Sequence, residues 1–418
     1  MTEWLAKKPA LCATGTCKSN QFANYAYMQI KNYQLLGLMS GSSMDGLDVA
    51  LLRFSYGFRQ MEDGTKEAEV FDWELLEAET LPFSQAWIER LENLSHAPMA
   101  EVLRAHTAFG RYLGELLKPV LEDMSLRPEA VALHGHTLLH EPAHGFSFQL
   151  GDGHALADSL QLPVIADFRT ADIALGGEGA PMSPLADKLL FGGFDAYLNI
   201  GGIANLTTCR DGRWSACDIG PANQIFNALA AEKGLDFDRD GALGKSGSLL
   251  EGLLQEALKD EYYRRPAPKS LSNQWVQQQA LPRFLNAPAP VADRLHTACH
   301  FLARLLADQL QQTFELSDGK ARKLFLSGGG AHNAFLRDCL QQAIAPLNFS
   351  LHLPKPEIID FKEAILMALA GMLRLEGVPN FLPETTGARA AAVGGVVFQP
   401  ASVIAKEVLL DDESRKVP

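Results

Sequence analysis

Three apolar segments of the 418-residue chain each run directly into a glycine-rich turn, and this repetition constrains the fold more than any other feature. The first covers residues 34–54, and the second covers 196–207 with Gly201 and Gly202 at its tip. In both, a second apolar segment follows the turn, which is typical of a β-hairpin. The third, 323–333, carries three successive glycines and leads into a helical pattern. Similar hairpins in the two halves predict two related lobes around a cleft, where ligands usually bind.

Helical periodicity between the glycine turns predicts an α/β protein. Apolar residues recur at three- or four-residue spacing over 83–126, 221–233, 247–261, 291–316 and 361–376, while 131–133 and 164–166 are typical of buried strands. We expect an irregular N-terminal extension at 1–33, a first lobe at 34–165 completed by 375–418, and a second lobe at 166–374.

Composition excludes several classes of protein and partner. Acidic residues number 50 against 37 Lys and Arg, so the net charge is −13 and a nucleic-acid partner is not expected. No apolar run approaches the roughly 20 residues that span a bilayer, so we expect no membrane association. The six cysteines are sparse and form no CxxC pair, which favours free thiols and a cytoplasmic location.

The glycine turns suggest a phosphate-binding function. Glycine has no Cβ, so backbone N–H groups at a turn can approach an anion closely, and two opposed hairpins could hold the phosphates of a nucleotide. For one hairpin alone, glycine that merely permits a tight turn is the favoured explanation, but three such elements in one chain favour phosphate binding. Two other nucleotide motifs fail, because Arg239 occupies the first glycine position of a P-loop ending at Gly244, and Leu156 occupies the last glycine position of a dinucleotide fingerprint.

Histidines and carboxylates supply the candidate chemistry. Five histidines lie within residues 134–154, but no HExxH or CxxC accompanies them, so roles in a polar loop or in substrate contact are favoured over a metal site. Asp45, Asp48, Asp167, Asp172 and Asp218 all lie near glycines, where turn formation or helix capping is the ordinary use of Asp. Asp218 is the best catalytic candidate because it falls between a predicted strand and a helix, facing the cleft of an α/β protein.

A collinear set of motifs resembles the anhydro-N-acetylmuramic acid kinase family. The opening signature is GLMSGSSMDGLD at 37–48, and further matches keep family order to about residue 400: HGHT at 134–137, QLGD at 149–152, DFR at 167–169, DIALGGEGAP at 172–181, NIGG at 199–202, DIGP at 218–221, FDRDG at 237–241, SGGGAHN at 327–333, KEA at 362–364 and TGA at 386–388. Such a set is far more specific than a single glycine loop.

The resemblance implies the two-lobed actin-like, hexokinase-type ATPase fold with a central cleft, and a homodimer. It also implies a reaction in which water opens the 1,6-anhydro bridge of anhydro-N-acetylmuramic acid while the γ-phosphate of ATP, with Mg²⁺, moves to O6. The product, N-acetylmuramic acid 6-phosphate, is an intermediate of peptidoglycan recycling. The alternatives left open are a kinase for another anhydrosugar such as levoglucosan, a kinase with an ordinary hydroxyl acceptor, and a nucleotide-binding sensor without turnover.

The resemblance also implies roles for individual residues. Asp218 matches the general base that deprotonates the attacking water, while the sugar-binding residues are His134, Arg169, Asp172 and Glu363. Nucleotide-binding residues fall in three groups: Gly41, Ser42, Ser43, Met44, Asp45, Gly46, Leu47 and Asp48; Gly201 and Gly202; and Gly328, Gly329 and Gly330. The chain departs from the family pattern at His136 and Glu178, where Gln is frequent, and Glu178 is expected to add negative charge near the sugar pocket.

Overall fold

The computed structural model describes residues 30–41, 46–60, 66–124, 126–267 and 269–401. The strands are β1 Lys31–Ser40, β2 Gly46–Gln60, β3 Lys66–Pro82, β4 Ala130–Leu133, β5 His136–Glu141, β6 Phe146–Leu150, β7 Val164–Ala166, β8 Ala196–Ile200, β9 Ile203–Arg210, β10 Arg213–Pro221, β11 Arg322–Ser327, β12 Phe349–His352 and β13 Val396–Phe398. The α-helices are α1 Gln85–Leu94, α2 Met99–Asp123, α3 Gly153–Leu160, α4 Arg169–Ala174, α5 Ser183–Leu189, α6 Asn223–Ala231, α7 Ala242–Lys245, α8 Glu251–Ala257, α9 Asn273–Trp275, α10 Leu281–Leu285, α11 Val291–Thr313, α12 Ala334–Ile344, α13 Pro356–Leu375 and α14 Pro383–Thr386.

Two mixed sheets repeat one strand order. The first runs β13-β7-β4-β1-β2-β3 and the second β10-β9-β8-β11-β12. In each, a three-stranded antiparallel meander is followed by two strands parallel to its first strand. Short turns suffice for the antiparallel pairs, whereas the parallel strands need helical crossovers, and the long helical patterns of the sequence supply these. The duplication confirms the predicted α/β fold with two related lobes.

Helix α13 lies between the two sheets and shares a hydrophobic core with both. Its buried residues pack with Leu35 of β1 and with Tyr197 and Phe325 of the second sheet. The approach to β1 is close: a Cβ at Gly37 would lie 1.9 Å from the carbonyl oxygen of Ala364, so only glycine fits there. The predicted second lobe, 166–374, contains most of this helix, which packs on both sheets in the structure.

The chain ends of the first lobe differ in part from expectation. Strand β1 begins at Lys31, inside the predicted extension, because Lys31 pairs with Tyr56 and its ammonium lies 2.8 Å from the carboxylate of Glu376. Residues 1–29 and 402–418 lie outside the described residues. Strand β13 adds to the first sheet beside β7, as completion of that lobe by the C-terminal segment requires. The lobe boundaries stay a prediction.

Two further expectations concern the cellular context. In the described ranges, no helix combines the length and the hydropathy needed to cross a bilayer. The four cysteines within those ranges, Cys209, Cys217, Cys299 and Cys339, are free thiols.

Candidate active site

Two of the three glycine elements meet at one edge of the second sheet. Strands β8 and β11 are parallel, so Gly201 and Gly328, which follow them, lie at the same end. Gly328 has φ +81°, and a Cβ there would lie 2.7 Å from the carbonyl oxygen of Ile200, while one at Gly330 would lie 2.2 Å from the Ile200 side chain. These glycines therefore allow close packing of the two strand ends.

Gly201 is free of such packing. A Cβ at Gly201 would meet nothing nearer than the Ile203 carbonyl oxygen at 3.5 Å. Its neighbour Gly202 is tighter, with a side-chain atom of Gln224 at 3.2 Å. Because no packing among the described residues requires glycine at 201, its open surface suits the close approach of a ligand.

The first glycine hairpin is described only in part, and its role in nucleotide binding stays a prediction. Ser42, Ser43, Met44 and Asp45 lie outside the described residues. Leu47 is fully buried in the core beneath the first sheet, so its side chain cannot contact a nucleotide. A Cβ at Gly46 would lie 2.6 Å from the Leu81 carbonyl oxygen, so strand packing accounts for that glycine. Asp48 accepts a hydrogen bond from the Thr80 hydroxyl at 2.7 Å. Gly41 follows the end of β1 directly.

A row of polar residues crosses one face of the second sheet. Ser327 of β11 pairs with Asn199 of β8, Asn199 with Asn205 of β9, and Asn205 with Asp218 of β10. Residues directly opposite one another in a sheet share a face, so these four side chains form one polar row. Asn199 and Asn205 line a cavity of about 180 Å³ between the sheets. Asp218 lies one strand beyond the cavity.

Asp218 has the environment of a general base. It lies where the register of β9 and β10 shifts at a β-bulge, an irregularity that often aims a side chain at an active site. Its Oδ2 accepts a hydrogen bond from the Leu271 N–H at 2.8 Å, whereas Oδ1 has no hydrogen-bond partner among the described residues. Burial raises the pKa of the Asp218 carboxyl. One oxygen is thus fixed and the other can accept a proton.

His134 and Arg169 line the opposite wall of the cavity. His134 follows β4, and its Nδ1 lies 2.8 Å from the Gly135 carbonyl oxygen. Its Nε2 accepts from Arg169 Nε at 3.1 Å, so we assign the ring proton to Nδ1. Burial, with Arg169 adding, lowers the pKa of His134 to about 3. The imidazole is therefore a neutral support for the guanidinium.

Arg169 and Glu363 form the charged part of the cavity wall. Arg169 Nη1 also donates to the Gly179 carbonyl oxygen at 2.8 Å, which fixes the guanidinium plane and leaves N–H groups for a ligand. Glu363 comes from α13. Its side chain is exposed to the cavity, and the surrounding atoms raise the pKa of its carboxyl by desolvation; the charge of Asp48 also raises this pKa, whereas that of Arg169 lowers it. A cation and an anion that line one cavity suit the hydroxyl groups of a sugar.

Asp172 does not lie where the sequence prediction placed it. It does not line the cavity, and its side chain is fully buried. One carboxylate oxygen accepts from the Gly179 N–H at 2.8 Å and the other from the Thr386 hydroxyl at 2.8 Å. Since both oxygens have partners within the chain, Asp172 holds the loop whose carbonyl oxygen positions Arg169.

With this geometry in view, the comparisons identify the family. The profile of the anhydro-N-acetylmuramic acid kinase family matches residues 33–400. The chain belongs to this family. It is 34% identical over 385 residues to the anhydro-N-acetylmuramic acid kinase of Gloeobacter violaceus, covering 86% of this chain and 97% of the relative. It is 30% identical over 376 residues to that of Legionella pneumophila strain Lens, with 87% and 97% covered. A hexokinase of Schistosoma mansoni in complex with glucose is similar at 13% identity and a TM-score of 0.32, covering 81% of this chain and 85% of the hexokinase. This similarity is weak, so the fold is assigned from the strand order of the two sheets.

Glu178 and His136, which depart from the family pattern, do not line the cavity. Glu178 is exposed and does not line it, so the expected negative charge is not part of its wall. The Glu178 backbone N–H donates to the Thr386 carbonyl oxygen at 2.9 Å. His136 is buried beside Ser40, with 3.5 Å between its Nδ1 and the serine hydroxyl. Within the described ranges, no group of three or more His, Cys, Asp or Glu residues could hold a metal ion.

Lys362 is a site residue that the sequence reasoning missed. Its ammonium lies 2.7 Å from the carboxylate of Asp187 of α5, and both side chains are nearly inaccessible to water. The same ammonium donates to the Ser327 hydroxyl at 3.1 Å, and that hydroxyl donates to Asn199 at 3.3 Å. Lys362 thus connects α13 to the polar row. The KEA motif was the available signal, but only its Glu was assigned.

Proposed function

We propose that the protein is an ATP-dependent kinase that opens the 1,6-anhydro bridge of anhydro-N-acetylmuramic acid with water and phosphorylates O6. Membership of the kinase family supports this proposal. The observation that carries the mechanism is the Asp218 carboxylate, with Oδ2 held by the Leu271 N–H and Oδ1 open. A protein that only binds a nucleotide has no need of a base in this position.

The proposed chemistry balances without a covalent enzyme intermediate. Asp218 takes a proton from water as the water oxygen bonds to the anomeric carbon, and the bond from that carbon to O6 breaks. O6 then bonds to the γ-phosphorus of ATP, and ADP leaves. The raised pKa of Asp218 increases its proton affinity, which improves a general base as long as it remains ionised at the working pH. Positioning of the reactants supplies the rest of the acceleration.

The nucleotide is proposed to lie along the glycine edge of the second sheet. Gly201 leaves room for phosphate oxygens, and Gly328 to Gly330 would lie toward the adenosine. The side-chain oxygen of Asn199, two residues before Gly201, is a hard donor of the kind that Mg²⁺ prefers, so this edge would hold the magnesium complex of ATP. When bound, Mg²⁺ neutralises charge on the phosphates.

The sugar is proposed to occupy the cavity between the lobes. Arg169, oriented by His134 and Gly179, would donate to sugar oxygens, and Glu363 would accept from hydroxyl groups. Asp172 is not proposed to contact the sugar; it holds the loop at Gly179, which positions Arg169. The homodimer and the cytoplasmic location expected from the sequence also remain proposals, and light scattering tests the former.

Isotope labelling in ¹⁸O-water tests the function. The purified protein is incubated with Mg·ATP and anhydro-N-acetylmuramic acid, and the product is weighed. One ¹⁸O at the anomeric carbon of a sugar phosphate is the expected result, because water supplies that oxygen. A phosphorylated sugar with its anhydro bridge intact, or ATP consumption that is independent of the sugar, contradicts the proposal.

A further inference from the structure

The edge of the second sheet at Asp218 is covered by the segment between α8 and α9. Strand β10 is the outermost strand of that sheet among the described strands. The Asp218 N–H donates to the Lys269 carbonyl oxygen at 3.0 Å, and the Leu271 N–H donates to Oδ2 of the Asp218 carboxylate at 2.8 Å. The Tyr262 hydroxyl donates to the Asp218 carbonyl oxygen at 2.8 Å. One segment therefore holds the proposed base through both its backbone and its side chain.

The Tyr262 hydroxyl holds β10 at its irregular point. The register of β9 and β10 shifts between Asp218 and Gly220. At such a bulge the regular ladder of hydrogen bonds is interrupted, so backbone groups of the bulged strand need other partners. Tyr262 supplies the partner of the Asp218 carbonyl oxygen. Because the carboxylate leaves the strand in a direction set by the backbone of the same residue, this hydrogen bond helps to fix where the proton acceptor lies.

Packing fixes the Tyr262 ring independently of its hydroxyl. The residue is 5% exposed and belongs to the core of the second sheet. Its ring centroid lies 5.6 Å from that of Trp275, and the Lys269 ammonium lies 5.2 Å from the Tyr262 centroid. A phenylalanine ring can make the same contacts, so an exchange of Tyr262 for Phe removes the hydrogen bond and little else.

The neighbouring Tyr263 provides a matched control. It is buried in the same core at 7% exposure, and its ring centroid lies 5.4 Å from that of Phe301. Its hydroxyl is buried and has no hydrogen-bond partner among the described residues. The two tyrosines are therefore alike in size and burial, and they differ in that the Tyr262 hydroxyl binds the strand that carries Asp218.

We propose that Tyr262 is a positioning residue for the general base Asp218, acting through the hydrogen bond from its hydroxyl to the Asp218 carbonyl oxygen. The inference rests on the proposed function, since it assigns the support of the base in that reaction. Tyr262 does not line the cavity between the sheets. Loss of its hydroxyl should therefore lower kcat and leave substrate binding unchanged.

Replacement of each tyrosine by Phe tests the inference. In Tyr262→Phe the base is displaced from the attacking water, so kcat with anhydro-N-acetylmuramic acid should fall roughly tenfold. The KM values for ATP and for the sugar should stay within about twofold of the wild type, because the lost contact does not involve either substrate. Tyr263→Phe should keep the wild-type kcat. Thermal unfolding checks that both variants are folded at the assay temperature.

The pKa of the Asp218 carboxyl gives a second readout that does not depend on turnover. Burial raises this pKa, and the hydrogen bond from the Leu271 N–H opposes the rise. A displaced strand weakens that hydrogen bond, so the pKa should be higher in Tyr262→Phe than in the wild type and unchanged in Tyr263→Phe. Carbon NMR of the aspartate carboxyls measures it, and Asp218→Asn identifies the resonance. The acid limb of the kcat profile should move to higher pH in the same way.

The titratable residues that adjoin Asp218 do not share this acid limb. Within the described ranges these are Cys217 and Tyr262, whose pKa values burial raises, and Lys269, whose pKa burial lowers. In acid solution a thiol and a phenol are neutral and an ammonium group is charged, so none of the three changes its charge there. The shift can therefore be assigned to Asp218.

The outcomes separate this inference from the proposed function. If the wild type phosphorylates no sugar, the kinase proposal fails, and the pKa of the Asp218 carboxyl in the two Phe variants decides the positioning role. A Tyr262→Phe variant with the wild-type kcat and an unchanged Asp218 pKa overturns that role and leaves the kinase proposal in place. Equal losses of kcat in Tyr262→Phe and Tyr263→Phe also overturn it, because they would reflect a general loosening of the core.

Discussion

Replacement of Asp218 by Asn is the sharpest test of the proposed mechanism. The amide has the shape of the carboxylate, and its oxygen can still accept from the Leu271 N–H. What it loses is the ability to take a proton through the open oxygen. General-base catalysis contributes roughly 10²–10⁴-fold, so kcat should fall by that factor while the KM for ATP stays nearly constant.

The pH profile adds a second signature. Catalysis needs ionised Asp218, and burial raises the pKa of this carboxyl above the ordinary value of about 3.9. The wild-type rate should therefore fall as the pH drops through that raised pKa. Asn has no such titration, so the residual rate of the variant should lack this acid limb.

Thermal unfolding separates catalysis from stability. Because the pKa of Asp218 is higher in the folded state, the folded state favours the protonated form, and the stability this provides is lost as the pH rises through the folded pKa. At neutral pH the ionised carboxylate is a net cost, so Asp218→Asn should unfold at the same temperature as the wild type or higher.

A matched control shows what an amide does elsewhere on the same sheet. Asp195, just before β8, accepts from the Lys323 N–H at 2.9 Å and does not line the cavity. Asp195→Asn should keep full activity. Near-normal turnover in Asp218→Asn, with an unchanged acid limb, would refute the assignment of the base.

Three further changes test other parts of the structure. Gly201→Ala adds a Cβ with no described atom nearer than 3.5 Å, so the unfolding temperature should stay the same. ATP affinity, measured by calorimetry, should fall at least tenfold. Gly192→Ala, whose added Cβ also has its nearest neighbour at 3.5 Å, is the control and should keep ATP affinity. Lys362→Met leaves buried Asp187 without its cation and should lower the free energy of unfolding by about 3–5 kcal/mol in urea titrations. The double variant with Asp187→Leu should recover part of this loss. An equal loss in the single and double variants would contradict this account of the ion pair. Gly37→Ala puts a methyl group 1.9 Å from a carbonyl oxygen of α13 and should cost about 3 kcal/mol or more, so a normal urea midpoint would show that the two elements can separate.

The glycine-rich strand ends could be predicted because the backbone conformation or close packing at these positions requires glycine, and glycine is visible in the sequence. A position with positive φ or with no room for Cβ, such as Gly328, requires glycine whatever surrounds it. Strand β3 was missed for the opposite reason. It is an edge strand of 17 residues rich in Glu, and only its pairing with β2 shows that one face is buried.

The positions of Asp172 and Lys362 could not be predicted from local sequence. Asp172 looks like a cleft carboxylate beside glycines, but its partner Thr386 is 214 residues away. Lys362 looks like an exposed helix residue until α5 and β11 surround it. In both cases the role depends on elements that are brought together only by the fold, and the motif alone carries no sign of the partner.

The position of Asp218 relative to the cavity points to movement of the lobes. Adjacent antiparallel strands lie about 5 Å apart, so Asp218 is one strand removed from Asn205, which lines the cavity. A base must come within hydrogen-bond reach of the attacking water. The sugar-facing groups of the first lobe, His134 and Arg169, follow β4 and β7, whereas Asp218 is on β10. Closure of the lobes would therefore shorten the gap without disturbing either sheet. Helix α13 packs on both sheets and carries Glu363 and Lys362. An unchanged radius of gyration in solution scattering, with and without nucleotide and sugar, would contradict closure.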